Sequence, residues 1–249
     1  MESVSLKEQF DTQGFVRIEG LVPPEETEML QNIYNDFLAD KYDLTGMRGD
    51  LSGDSDTNKK VEKITQIMRP SLVLPKLQDT KTYSRVLQLA RSWMGEDMEI
   101  DFDMMIDKAP GTSTETPWHQ DAAYWPDMPD KRAISFWIAL DDVDRENGCM
   151  MYVAKSHLRP LKSHLQPAPN AALQCKIDED DLISYGEISL GSCMAHHGYT
   201  LHAALGNTSS DRHRRALIVN LRPSDMILYI RALGYDHLGN REVKNAKNA

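Results

Sequence analysis

Hydrophobic and polar residues alternate most strictly between positions 98 and 107, where Met98, Ile100, Phe102, Met104 and Ile106 fall on one face and Glu99, Asp101, Asp103, Met105 and Asp107 on the other. A period of two is the pattern of a half-buried strand. Arg132 to Leu140 repeats it, with Ile134, Phe136, Ile138 and Leu140 against Ala133, Ser135, Trp137 and Ala139. Gly148 to Val153, Ile188 to His202 and Arg215 to Leu221 are further strands, separated by turn-forming clusters at 144–148 and 206–211. Upstream the period changes. Met29, Leu30, Ile33, Tyr34, Phe37 and Leu38 recur at helical spacing behind Pro23-Pro24-Glu25-Glu26, which puts proline and acid in a first turn where both are favoured. A second helix, from about Lys81 to Met94, has an apolar face of Tyr83, Val86, Leu87, Ala90, Trp93 and Met94 and stops at Gly95.

The remaining segments are less regular. Phe10 to Leu21 reads as a short strand and a turn. Residues 39–60 are polar and glycine-rich, a long loop that is either a lid or a surface excursion. The stretch from Ile64 to Leu77 is apolar but broken by Pro70 and Pro75 and carries no assignment, 158–185 is an irregular insertion, and the final NREVKNAKNA reads as frayed. Helices first and strands after argue against βαβ alternation. They predict a mainly β fold with flanking helices, an antiparallel sandwich or jelly roll, in a single domain over 1–249 with a helical part at about 1–96 and a core at about 97–230.

Composition narrows the partners. The 249 residues hold 28 Lys and Arg against 38 Asp and Glu, a net charge of −10, which disfavours nucleic acid and anionic membranes and favours a small-molecule substrate. The start MESVSLKEQF lacks the pattern of a signal peptide and no apolar run approaches the roughly 20 residues of a membrane span, so a soluble, cytoplasmic protein is expected. Three widely spaced cysteines, Cys149, Cys175 and Cys193, suggest reduced thiols and neither a disulfide framework nor a zinc knuckle.

Candidate chemistry centres on Thr116-Pro117-Trp118-His119-Gln120-Asp121. In an extended chain His119 and Asp121 share a face, and with one more histidine they would complete the two-His, one-carboxylate set that suits non-haem Fe(II). His157, His164, His196, His197, His202 and His213 all follow. His196 and His202 share strand parity, and spacing does not choose between them. Taken on their own, His196 and His197 read more readily as satisfied sheet residues than as ligands. Arg212, Arg214 and Arg215 lie past the turn after His202, where an antiparallel hairpin would return one of them beside it to clamp a carboxylate.

Together these residues resemble the phytanoyl-CoA dioxygenase-like branch of the Fe(II)/2-oxoglutarate oxygenases. HQD at 119–121 looks like its proximal motif, ALDDVDRENGCMMYVAKSH from Ala139 to His157 like its central segment, and HHGYTLHAALGN like its distal-histidine strand. The Gly14-Phe15 start and the Pro-Glu-Glu helix are also similar to the family's opening. The resemblance implies a double-stranded β-helix (jelly-roll, cupin-like) core, with iron held by His119, Asp121 and His202, because the distal ligand follows an upstream His by five residues as His202 follows His197. It assigns Arg214 to the far carboxylate of 2-oxoglutarate, with Arg212 and Arg215 as alternatives because the turn is one residue longer here, and places Trp137 and Gln120 along the cosubstrate pocket. Ser192 stands where many relatives carry Asp, a structural variation. Tyr124, Trp125, Met105 and Arg69 are candidate substrate contacts, although Tyr124 and Trp125 could instead cap the barrel mouth.

What the resemblance implies is hydroxylation of a small metabolite with Fe(II), 2-oxoglutarate and O₂, releasing succinate and CO₂. Asp121 favours oxygen transfer, since related halogenases carry a small residue there. Desaturation, epimerisation or ring formation can use the same triad. From other classes, the rivals are a non-oxidative metal or ligand-binding jelly roll and a zinc hydrolase or isomerase.

Overall fold

Two antiparallel sheets face one another in the computed structural model, which describes residues 5–53, 62–168 and 171–238. In chain order the strands are β1 (Phe15–Ile18), β2 (Arg48–Asp50), β3 (Ile64–Met68), β4 (Met98–Lys108), β5 (Thr116–His119), β6 (Ile134–Ala139), β7 (Met150–Val153), β8 (Ile183–Gly186), β9 (Cys193–His197), β10 (His202–Ala204) and β11 (Arg214–Pro223). The helices are α1 (Leu6–Gln13), α2 (Pro24–Leu38), α3 (Pro70–Val73), α4 (Lys81–Met94) and α5 (Ser224–Ala232). The large sheet runs β1-β9-β6-β11-β4-β3-β2 and the small one β5-β10-β7-β8. This is a jelly roll, the double-stranded β-helix.

The large sheet is apolar on both faces because both are covered. Phe136 and Ile138 of β6, with Leu217 and Val219 of β11, point outward into a core shared with Leu30, Tyr34 and Phe37 of α2 and Tyr83, Val86 and Ala90 of α4. Trp137, Ala139, Ala216 and Ile218 alternate with them and meet Met150, Tyr152 and Ala204 of the small sheet. Every residue of β6 is therefore buried. Truncating a core ring such as Phe136 to Ala should cost about 3–5 kcal/mol.

Local chemistry fixes the helices. Ser5 caps α1, and Gly14 ends it with a left-handed φ of 84°. Thr80 caps α4. The buried carboxylate of Glu26 in α2 accepts from the Lys81 and Thr82 N–H groups at 2.7 and 3.0 Å, joining one helix to the start of the other.

Several segments differ from the sequence reading. The helical N-terminal part also contributes β1, β2 and β3 to the large sheet. Proline-broken Ile64 to Leu77 resolves into β3, α3 and the 3-10 turn Pro75–Asp79. The strand expected from Ile188 to His202 divides into β9 and β10, which lie in different sheets. The chain crosses at Gly198, where an added Cβ would lie 2.6 Å from the Trp125 ring. The lid question raised for residues 40–60 falls partly outside the described residues, as does the expected frayed tail. Among the described residues no helix is long and apolar enough to cross a membrane.

Candidate active site

Strand register sets polar interior residues in two facing rows. In the small sheet His202 of β10 lies between His119 of β5 and Tyr152 of β7. In the large sheet Ser135 of β6 lies between Asn220 of β11 and His196 of β9, and His196 pairs onward with Phe15 of β1. The rows meet in the gap: the His196 and His202 ring centroids are 4.4 Å apart, and Phe15 stacks on Tyr152 at 4.7 Å. Asp121 enters between them from the single 3-10 turn, Asp121–Tyr124, that follows β5.

His119, Asp121 and His202 are brought together with one ligand atom each, all within 4.8 Å of one another. Oδ1 of Asp121 is 3.7 Å from Nε2 of His119 and 3.5 Å from Nε2 of His202. Each imidazole is oriented by its own chain two residues back. Nδ1–H of His119 donates to the Pro117 carbonyl at 2.8 Å and Nδ1–H of His202 to the Thr200 carbonyl at 2.9 Å. The second nitrogen of each ring is then left as a lone pair facing the gap. Burial pushes both imidazoles further toward the neutral form. Burial would raise the Asp121 carboxyl, but contacts with His202 and His196 hold it well below the usual carboxylate range. Two neutral nitrogens and one carboxylate oxygen fit a hard-to-borderline divalent cation such as Fe(II).

The outer oxygen of Asp121 is engaged separately. Oδ2 accepts from Ser135 Oγ at 3.0 Å and from His196 Nε2 at 3.3 Å. Ser135 Oγ also lies 2.5 Å from Asn220 Oδ1, and Asn220 Nδ2 has no partner among the described residues. A hydroxyl has one proton, so Ser135 donates to Asp121 only when the Asn220 amide is turned to point its nitrogen at Ser135, which also gives that nitrogen an acceptor.

Lining the cavity beside the triad is Arg214, 1 % exposed, whose guanidinium makes no hydrogen bond or ion pair among the described residues. Its guanidinium carbon sits 5.1 Å from the centre of the Trp137 ring, and both residues line the cavity. Burial pulls its pKa down to about 10, which leaves it charged at neutral pH. The neighbouring arginines face outward and are paired, Arg212 with Asp144 and Glu146, Arg215 with Asp141. Arg214 does not arrive by the expected hairpin. β10 and β11 belong to different sheets, and the guanidinium reaches the site from across the sandwich.

Tyr124 and Trp125 also line the cavity, together with Phe102, Tyr235 and His237. Three residues singled out in the sequence do not. Gln120 points away from the gap: its Nε2 donates to the Tyr199 carbonyl at 2.8 Å and its Oε1 accepts from the Lys162 N–H at 2.9 Å. Strand parity is the reason, since His119 and Asp121 take the inner face. Met105 packs into the core under the helices, and its neighbour Met104 lines the cavity instead. Arg69 donates to the Asp236 carbonyl at 3.1 Å and does not line the cavity. Sequence reasoning missed Ser135, Asn220, Tyr235 and His237. It read His196 as a sheet residue, although shared parity with His202 was a signal.

Comparison with known proteins gives a consistent picture. The family description "Phytanoyl-CoA dioxygenase (PhyH)" matches residues 10–216. Peroxisomal phytanoyl-CoA dioxygenase of Bos taurus is 23% identical over 177 residues, covering 66% of this chain and 50% of the bovine one, so the chain spans about half the length of that relative. A probable alpha-ketoglutarate-dependent hypophosphite dioxygenase of Stutzerimonas stutzeri is 25% identical over 221 residues, covering 83% of this chain and 74% of that protein. Among solved structures, EvdO2 from Micromonospora carbonacea var. aurantiaca aligns with a TM-score of 0.72 at 25% identity, covering 90% of this chain and 94% of its own. The epimerase SnoN, solved with Fe3+, alpha ketoglutarate and nogalamycin RO, aligns at 0.67 and 21% identity, covering 88% and 82%, and speaks to the fold alone.

Proposed function

The chain belongs to the phytanoyl-CoA dioxygenase (PhyH) family, and from that premise we propose that it is an Fe(II)- and 2-oxoglutarate-dependent oxygenase that hydroxylates a small-molecule metabolite in the cytoplasm. His119, Asp121 and His202 would hold the iron, and Arg214 would hold the far carboxylate of 2-oxoglutarate. Bound together, these groups supply the oxidising chemistry: with O₂, 2-oxoglutarate becomes succinate and CO₂ and the acceptor gains one oxygen atom.

The observation that carries the reading is Arg214. An unpaired guanidinium is costly to bury, and a fold keeps one where a ligand supplies the missing anion. A dicarboxylate with one end at the triad and the other at Arg214 would do so. Trp137, Met104 and Ile218 give the cavity apolar walls, which exclude water and strengthen the charge pairing. The residues toward Tyr124, Trp125 and Phe102 would then receive the acceptor.

Asp121 bears on the outcome, because its carboxylate occupies the position that related halogenases leave to a small residue. The same fold serves SnoN, an epimerase, and SnoK, a carbocyclase, so product identity is read directly. Protein reconstituted anaerobically with Fe(II) and then given 2-oxoglutarate and O₂ should form succinate, and His119→Ala should not. Mass spectrometry of an acceptor that stimulates turnover should show a gain of one oxygen. A loss of two hydrogens or an unchanged mass would replace hydroxylation by desaturation or epimerisation. Absence of succinate across a broad acceptor panel would favour a binding protein.

A further inference from the structure

We infer that His196 and Ser135 form a two-donor clamp on the outer oxygen of Asp121, which makes the carboxylate present a single oxygen to the metal. The inference rests on the iron-site reading above. His196 is buried at 2 % exposure and belongs to β9 of the sheet opposite His119 and His202. Because the Asp121 carboxylate only accepts, the 3.3 Å contact requires the proton of His196 to sit on Nε2. Its Nδ1 is buried and has no partner among the described residues. An imidazole kept for packing alone would be better replaced by an apolar ring, which leaves no unsatisfied polar atom. The contact with Asp121 is what its burial secures.

Acceptor accounting gives the consequence. Oδ2 of Asp121 has two donors in reach, His196 Nε2 and Ser135 Oγ, the latter free to donate there when the Asn220 amide is turned to point its nitrogen at Ser135. Oδ1 has neither and faces the two ligand imidazoles at 3.5 and 3.7 Å. For the carboxylate to bind through both oxygens, it would have to rotate away from both donors. A carboxylate held to one oxygen would leave a bound Fe(II) more open positions for cosubstrate and O₂. His196 and Ser135 are therefore positioning residues, acting through Asp121.

The test uses Co(II) as a spectroscopic probe, titrated into metal-free protein without cosubstrate. His196→Phe should weaken Co(II) binding roughly 10–100-fold, the usual range for losing a partner of a metal ligand, and should shift the visible Co(II) spectrum. His196→Gln, which carries an N–H donor at similar reach, should restore most of both. Ser135→Ala, a change of one atom that leaves packing intact, should produce the same spectral shift in smaller degree. Melting of the metal-free variants reports any purely structural effect. Wild-type affinity and spectrum in both His196→Phe and Ser135→Ala would overturn the clamp, as would His196→Gln behaving like His196→Phe. If wild-type protein takes up no Co(II), the metal site itself fails and the clamp with it; uptake by wild type with indifferent variants sinks the clamp alone.

Discussion

Arg214 and Trp137 belong to adjacent strands of the large sheet, and the guanidinium carbon of the one stands 5.1 Å from the ring centre of the other inside the cavity. The ring supplies a polarisable face but no countercharge. Arg214→Met should therefore have opposite effects on stability and on ligand binding. Without ligand it removes an unpaired buried charge and should stabilise the protein by about 1–2 kcal/mol, read as a higher denaturant midpoint. With 2-oxoglutarate it should weaken binding by about 2–5 kcal/mol, or roughly 30-fold and upward, in anaerobic calorimetry with metal present. Arg212→Ala and Arg215→Ala, which break outward-facing pairs, should leave that affinity within a few-fold. Equal losses from all three would remove the clamp from Arg214.

Metal binding should be visible as stability. His119 and His202 face the gap as neutral imidazoles within 4.8 Å of the Asp121 ligand atom, so binding should need little rearrangement. At a free metal concentration near 100 times the dissociation constant, linkage gives about 2.7 kcal/mol. For a chain of this size that is a rise in melting temperature of about 5–10 °C. A chelator should reverse it, and His119→Ala should show no rise at all. A rise that persists in His119→Ala would place the metal elsewhere.

Legibility from the sequence followed the range of the interaction concerned. α4 was readable because its apolar face and the Gly95 stop are local signals, and β4 and β6 because alternation is local too. The crossing at Gly198 was not, since parity describes one strand and says nothing of a chain that changes sheets. That crossing is why His196 and His202 end on opposite sides of the gap, and why Arg214 comes from the facing sheet. β3 escaped because Ile64, Thr65, Ile67 and Met68 are all buried, which removes the alternation. Gln120 and Met105 are different. Each sits one residue out of step with a cavity-lining neighbour, Gln120 with His119 and Asp121 and Met105 with Met104, so parity would have turned both away from the cavity.

Gln120 should then behave as a latch. Its amide joins the 162–164 segment to Tyr199, near the strand crossing, through two hydrogen bonds. Gln120→Ala leaves the partly buried Lys162 N–H and Tyr199 carbonyl unpaired and should cost about 1–2 kcal/mol of stability. Affinity for 2-oxoglutarate at a temperature where the variant is fully folded should be unchanged. A selective loss of affinity at unchanged stability would return Gln120 to the pocket wall.

The C-terminal wall of the cavity makes a pH-dependent prediction. His237 is 2 % exposed, stacks on Phe102 with ring centroids 3.7 Å apart, and donates from Nε2 to Asp101 at 2.8 Å. Burial depresses its pKa to about 4 despite that carboxylate, with repulsion from the Arg222 and Arg231 cations, which pair with Asp101 at 2.6 and 2.5 Å, acting in the same direction. The unfolded chain takes up the proton near the ordinary value of about 6.5, and the folded chain only near 4. Stability is therefore full above about 7 and falls as pH drops through that window, by about 3 kcal/mol for this residue. Asp101 itself is held far below its usual range, so its share is lost only under stronger acid. His237→Gln keeps a donor for Asp101 but cannot titrate, and its urea midpoint should decline less steeply between pH 6.5 and 4. The decline should lessen without vanishing, since burial also depresses His197 to about 4 with the same sign and His197 remains in the variant. Identical slopes for the two proteins would mean that His237 leaves its buried site before it takes up a proton.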